Sequence, residues 1–463
     1  MTRNDEKFLS RGGVLTLEVS LIRNFDERPE RFDGEPARHY QLACPACGDR
    51  FEDDGWALEC PRTHAPSLLT TIYSSRRLVC DEKAEGIYRY RCWLPVAKQL
   101  AGSDSPVTYK SERLCRKLGF PNLWIAFSGY WPEIGATLAT GTFKELETYG
   151  VLSRIRRPSS QILVVASAGN TAAAFARVCS ENGVRCLIVV PASGMNKMQF
   201  TGGMGPTVKI VSLSEDADYS DAIAFANAIA QRDGFASEGG AKNVGRRDGA
   251  ATVMLRAVET IGALPEYYFQ AIGSGVGAIA AHEAAKRLTQ APGPGKTLPR
   301  LMLSQNLRFA PVLDSWRTGC RELIEMERGV ARALARQIAA PVLSNQRPPY
   351  AIRGGIFDAL SESRGDVLAV RNEDVRRAMR LFEDCEGIDI DPAAGVALAS
   401  LVQALRFERI SRASTVLLHI TGGGHLKRCS RERLVSASPN LEIALGEICK
   451  HEEAAVAKAC DLF

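Results

Sequence analysis

Short apolar runs of strand length alternate with helical stretches along most of this chain, and that alternation constrains its fold more than any other feature. LWIAF (123–127), ILVVAS (162–167), CLIVVP (186–191), VKIVSL (208–213), YFQAIG (268–273), LMLSQ (301–305) and TVLLHIT (415–421) are apolar and bounded by turn residues. Such runs read as buried strands. The stretches between them, such as NTAAAFARVCSENG and DAIAFANAIAQRDG, end in Gly, a helix stop signal. Strands and helices in regular alternation predict an α/β fold, with parallel sheets covered by helices. No apolar run approaches the ~20 residues of a membrane-spanning helix. The opening MTRNDEKFLSRGG lacks the apolar stretch of a secretory signal, so a cytoplasmic protein is expected.

With 58 basic against 53 acidic residues spread along 463, no lysine-arginine block with interleaved aromatics marks a nucleic-acid surface. Thirteen cysteines, an odd number scattered over a long chain, read as reduced thiols rather than a disulfide framework. Residues 1–38 are polar and rich in charge, Pro and Gly, and read as a poorly ordered extension. Residues 40–66 form a compact cysteine-bearing segment. There Cys44, Cys47, Cys60 and His64 have the spacing of a zinc ribbon and equally that of a packing knuckle without metal. No metal is assigned to the chemistry.

Four spots carry chemistry in combination. Lys144, in TGTFKE, sits where a glycine turn opens into a helix. Such a lysine can form a Schiff base once burial lowers its pKa, and taken alone it reads first as a solvated helix lysine. Ser167, Ala168, Gly169, Asn170 and Thr171 end one strand and open a helix, an arrangement suited to a carboxylate or to an ordinary N-cap. Gly273, Ser274, Gly275, Val276 and Gly277 follow another strand, where backbone amides at a helix start can cradle a phosphate. The spacing is neither a dinucleotide fingerprint nor a P-loop. Thr421, followed by three glycines and His425, ends the last strong strand, the position at which open parallel sheets place ligand contacts.

In this order the motifs resemble those of the pyridoxal-phosphate enzymes of the tryptophan synthase β-subunit type. ATGTFKE is similar to their N-P-T-G-S-F-K-D motif and SAGNTAAAFA to their S-x-G-N-T/H-G-x-A motif. The likeness runs from about Tyr40 to about Arg428. Segments such as YQLACPACG, LLTTIYSSRRL, PVTYKSERL and FSGYWPEIGA place it in the threonine synthase-like branch, nearest the cysteate synthases.

The resemblance implies two open, mostly parallel sheets with the cofactor in an interdomain cleft (fold type II). Residues 39–158 and 244–463 would form the larger domain, and 159–243 a smaller mobile one. Lys144 would carry pyridoxal 5′-phosphate and move the α-proton. Asn170 would bond the cofactor's 3′-oxygen, residues 273–277 its phosphate, and Thr421 would face the pyridine nitrogen. Ser167, Ala168, Gly169 and Thr171 would hold the substrate carboxylate. Lys110 is a further candidate anion contact, as is Arg353. The implied reaction is β-replacement through an aminoacrylate, from O-phospho-L-serine and sulfite to L-cysteate and phosphate, in a homodimer serving sulfonate metabolism such as coenzyme M biosynthesis. Threonine synthesis from O-phosphohomoserine, another nucleophile on phosphoserine, and a silent binding protein are the alternatives weighed.

Overall fold

Burial on both faces explains why the strand runs are continuous rather than alternating. In the computed structural model, which describes residues 38–156, 159–293 and 295–463, two sheets dominate. The first runs in the order Phe235–Ser237, Ile162–Ala166, Cys186–Pro191, Val208–Leu213 and Leu441–Ile443, all parallel. Leu163, Val165, Ile188, Val190 and Ile210 face one core, while Ile162, Val164, Leu187, Val189 and Val211 face another. Each residue and its second neighbour share a face, as the pleat requires.

The second sheet runs Asp366–Val370, Arg300–Asn306, Tyr267–Ala271, Val416–Ile420, Leu123–Phe127 and Val107–Lys110. It is parallel except for its last edge strand, which is antiparallel. Tyr268, Leu301, Leu303 and Leu417 join the core shared with the first sheet. Phe269, Met302, Leu418 and Ile125 pack on the outer side, under the helices Asn372–Glu386 and Pro392–Arg406. All seven strands expected from the sequence are present, and the short strands Val107–Lys110, Phe235–Ser237 and Asp366–Val370 join them.

Residues 441–463, grouped with 244–463 in the sequence reading, pack with the first sheet. Leu441–Ile443 adds a parallel strand beside Val208–Leu213, and Val456 and Ala459 of the Leu445–Cys460 helix join its outer core. A three-stranded antiparallel sheet (Arg50–Phe51, Tyr40–Ala43, Thr70–Tyr73) carries the cysteine segment. Residues 39–463 form one compact unit, and the polar extension of 1–38 lies outside the described residues save for Arg38. Among the described residues no helix is long and apolar enough to cross a membrane.

Candidate active site

Lys144 opens the Lys144–Arg154 helix, and the turn that delivers it is tied down from two sides. Glu145 accepts from the Thr140 hydroxyl (2.8 Å) and from its backbone N–H. The TGTF turn is also stitched to the TGGG turn: Phe143 N donates to Thr421 O (3.1 Å) and Gly423 N to Gly141 O (3.0 Å). Two motifs remote in sequence thus form one seam at the carboxyl end of the large sheet.

The Lys144 helix meets the helix Val244–Ile261 backbone to backbone. A Cβ on Gly150 would stand 2.0 Å from Gly245 O, and one on Gly249 2.2 Å from Leu146 O. This closeness brings Arg246 beneath Lys144 and creates a buried charge chain. Lys144 Nζ lies 2.7 Å from Glu147 Oε1, and Arg246 Nε lies 2.7 Å from Glu147 Oε2. The Arg246 Nη1 atom lies 2.7 Å from Glu238 Oε2, while Nη2 donates to Thr171 Oγ1 (3.1 Å).

Burial lowers the Lys144 amine below the ordinary lysine range, and Arg246 adds to this while Glu147 opposes it. Burial alone would raise the Glu147 carboxyl, but Lys144 and Arg246 together hold it below its usual value. Glu238 is raised by its burial, with Arg246 opposing. Below Phe143, His419 is wholly enclosed: Nδ1 pairs with Tyr268 Oη (2.9 Å) and Nε2 with Ser128 Oγ (3.0 Å). Its burial, aided by the Lys144 charge, lowers its pKa to about 3.

The 167–171 turn precedes the Asn170–Glu181 helix. Gly169 adopts φ +140°, and a Cβ there would sit 3.0 Å from Lys197 Cγ. Ser167 Oγ accepts from Gly169 N (3.0 Å) and Ala172 N (2.9 Å). A hydroxyl has two lone pairs and one proton, so Ser167 keeps its O–H for a ligand. Thr171, already an acceptor from Arg246, is likewise turned into a donor. Two O–H donors beside the start of a helix suit a carboxylate.

The 273–277 loop leads into the Val276–Gln290 helix, whose first turn has no side-chain cap. Gly275 adopts φ +72°, and a Cβ there would lie 2.4 Å from Ile356 Cδ1. Lys144, Ser167, Ala168, Gly169, Asn170, Thr171, Gly273, Ser274, Gly275, Val276, Gly277 and Thr421 all line one cavity of about 880 Å³.

Lys110 and Arg353 are placed elsewhere. Lys110 is exposed on the antiparallel edge strand, paired with Trp124 at the amino end of its neighbour, whereas Thr421 lies beyond the carboxyl end of the adjoining strand. Arg353 donates to Pro45 O (3.3 Å) and does not line the cavity. Sequence reasoning passed over Glu147, Glu238 and Arg246, and over Trp56, Glu59 and Arg347 on the cavity wall. Glu147, three residues after Lys144 in FKELE, was the one with a readable signal, since i and i+3 share a helix face.

A fold of two mostly parallel sheets with a buried lysine and a glycine-rich helix start facing one cavity defines a class of cofactor enzyme. Residues 134–422 match the family model described as pyridoxal-phosphate dependent enzyme, and the chain belongs to that family. It is 44% identical over 409 residues to the cysteate synthase of Methanoculleus marisnigri, covering 88% of this chain and 94% of that protein. With the cysteate synthase of Methanosarcina barkeri it shares 42% over 417 residues, 89% of this chain and 99% of the relative. The chain therefore belongs, within the larger family, to the cysteate synthases.

Solved structures share the fold at low identity. Maize serine racemase matches with a TM-score of 0.51 at 16% identity, over 76% of this chain and 93% of that one. A pyridoxal 5′-phosphate-dependent aspartate racemase gives 0.52 at 17%, over 69% and 90%.

Pyridoxal 5′-phosphate is the cofactor of this enzyme, and the residues present fit it. A buried amine with a lowered pKa suits Schiff-base attachment. The uncapped helix start behind Gly275, whose φ of +72° favours glycine and leaves the backbone amides bare, suits a phosphate.

Proposed function

We propose that this chain makes L-cysteate and phosphate from O-phospho-L-serine and sulfite by β-replacement. The observation that carries the reading is the meeting of Lys144, the 167–171 turn and the 273–277 loop on one cavity, in a chain that belongs to the cysteate synthases. In the net reaction the Cβ–O bond to phosphate breaks, a Cβ–S bond to sulfite forms, and the α-hydrogen is returned.

Bound pyridoxal phosphate supplies the electron sink that makes the Cα–H bond acidic. The remaining tasks fall to the chain. Lys144 Nζ takes the Cα proton and gives it back, a role for which an amine of lowered pKa is suited. Glu147 holds that amine by its Oε1 atom. The Ser167 and Thr171 hydroxyls donate to the substrate carboxylate, with Arg246 orienting Thr171. Asn170 and Thr421, both on the cavity wall, would contact the cofactor ring, and residues 273–277 would hold its phosphate. Arg347 on the cavity wall, whose pair with Glu325 is long (3.4 Å) and exposed, is placed to offset the charge of the anionic reactants. Closure of the smaller sheet and its helices over the cavity excludes water during the exchange. We place the enzyme in the cytoplasm as a homodimer.

Mass spectrometry of products tests the reading. Purified enzyme with pyridoxal phosphate, O-phospho-L-serine and sulfite should give cysteate, and a parallel reaction with O-phospho-L-homoserine no threonine. Threonine in the second reaction, or pyruvate alone in the first, would overturn the assignment of donor or nucleophile. Lys144→Ala should abolish cysteate formation.

A further inference from the structure

Outside the cavity, among the described residues, one cluster of side chains has the composition and spacing of a metal site. Cys44, Cys47, Cys60 and His64 bring their ligand atoms within 4.8 Å of one another. The Cys44 Sγ atom lies 3.3 Å from His64 Nε2, and Cys47 Sγ lies 3.7 Å from Cys60 Sγ. A tetrahedral zinc ion with Zn–S of ~2.3 Å and Zn–N of ~2.0–2.1 Å requires S···S edges of about 3.8 Å and S···N edges of about 3.6 Å. The observed separations approach those edges, while a disulfide would need sulfurs ~2.05 Å apart. All four ligand atoms lie within 4.8 Å of one another, close enough for a single ion to gather them.

The backbone around them is built to the same end. Cys44 N donates to Asp49 O (2.9 Å) and Gly48 N to Cys44 O (2.8 Å), with Gly48 at φ +77°. This tight turn points both sulfurs of Cys44-Pro-Ala-Cys47 to one side. Arg62 N approaches Cys60 Sγ at 3.5 Å, forming the second turn. His64 Nδ1 pairs with Ala65 O (2.7 Å), which fixes the proton on Nδ1 and leaves the Nε2 lone pair directed at the sulfurs.

We propose that Cys44, Cys47, Cys60 and His64 hold a structural zinc ion that braces one wall of the active-site cavity. Between the two ligand pairs runs the loop that carries Trp56, Leu58 and Glu59, all of which line the cavity. The same loop is tied to the body of the enzyme at its middle, where buried Asp53 pairs with Arg154 on the Lys144 helix (2.7 Å) and accepts from Tyr40 Oη (2.5 Å), Ala57 O accepts from Arg154 Nη2 (2.6 Å) and Glu59 pairs with Lys242, while the four ligand residues sit at its two ends. The supporting sheet has only short strands, whose Tyr40, Leu42 and Leu69 are buried in the main core, so an ion at its edge would link the turns of the loop to that core. Three thiolates and one neutral imidazole form a closed tetrahedral set with no open position, so the ion is structural rather than catalytic.

The test uses the holoenzyme purified without added metal. Elemental analysis should find about one zinc per chain, and X-ray absorption three sulfurs and one nitrogen at the ~2.3 and ~2.0–2.1 Å distances of such sites. Cys47 is exposed, like Cys320, Cys429 and Cys449. With zinc bound it should resist alkylation at least ~10-fold longer than those three, and lose that protection after chelation, because a metal-bound thiolate is no longer free to react. The variant pair Cys44→Ser and Cys60→Ser should lose the ion. Should either fail to fold, mapped alkylation of the unaltered enzyme still decides. Iron in place of zinc, less than ~0.2 zinc per chain from zinc-replete cells, or Cys47 labelling as fast as Cys320 would each overturn the proposal. None of these readouts depends on which substrates the enzyme uses.

Discussion

Glu147 Oε1 lies 2.7 Å from Lys144 Nζ on the same helix face, and Oε2 of that carboxylate lies 2.7 Å from Arg246 Nε. One buried acid thus bridges the nucleophilic amine and the cation that orients Thr171. Burial and Arg246 push the Lys144 amine down, and Glu147 is what holds it up. Removing that charge with Glu147→Gln should lower the amine's pKa further. The pH midpoint for loading cofactor-free enzyme with pyridoxal phosphate should move down by about one unit. Arg246 would also be left one carboxylate short, at a cost of ~3–5 kcal/mol in urea unfolding. An unmoved loading midpoint would mean that Glu147 does not set the state of Lys144.

Arg246 reaches Glu147, Glu238 and Thr171 with three different nitrogens. Lysine keeps the charge but cannot span three acceptors from one planar group. Arg246→Lys should therefore free Thr171 to rotate and weaken binding of the substrate carboxylate. Steady-state kinetics should show KM for the amino-acid substrate rising about 10-fold, with a smaller change in kcat. A change confined to kcat would detach Thr171 from carboxylate binding.

The strand ends were legible because they are local. ILVVAS followed by Ala-Gly-Asn, and YFQAIG followed by a Gly-rich turn, carry strand, turn and helix start within a few residues. What brings Arg246 to Glu147 is different in kind, resting on Gly150 facing Gly245 across two helices. Nothing local records such a contact. The position of Lys110 has no local signal either: the antiparallel pairing of its strand sets it beside Trp124, away from the cavity. The strand Leu441–Ile443 is three residues long and gains its meaning from a partner far up the chain, so its membership in the smaller sheet had no local signal.

His419 predicts an acid-sensitive term in stability. Its pKa is about 3 in the folded protein, against ~6.5 in an unfolded chain. Above the unfolded value both states are neutral and the residue is without effect on pH dependence. As pH falls through ~6.5 the unfolded chain takes up a proton that the folded state refuses, and stability declines until about pH 3, by about 2 kcal/mol at pH 5. His419→Asn should remove that part of the decline. Urea unfolding at pH 7.5 and pH 5 measures it: equal losses in the variant and the unaltered enzyme would sink the argument.

Gly150 offers a test in which two effects oppose each other. It lies inside the Lys144–Arg154 helix, and alanine there would favour the helix by about 1 kcal/mol through backbone entropy. The added Cβ, however, would stand 2.0 Å from Gly245 O and 3.0 Å from Gly249 Cα. These are backbone atoms of a neighbouring helix and cannot swing aside as a side-chain end could. The helices must separate, which costs about 1–3 kcal/mol or more and overrides the gain in propensity. Separation would also draw Arg246 away from Glu147, since both sit beside this contact. Gly150→Ala should therefore lower the thermal midpoint and weaken retention of pyridoxal phosphate on dialysis. If the midpoint rose instead, helix propensity would have won, and close backbone packing would not be what holds Lys144, Glu147 and Arg246 in line.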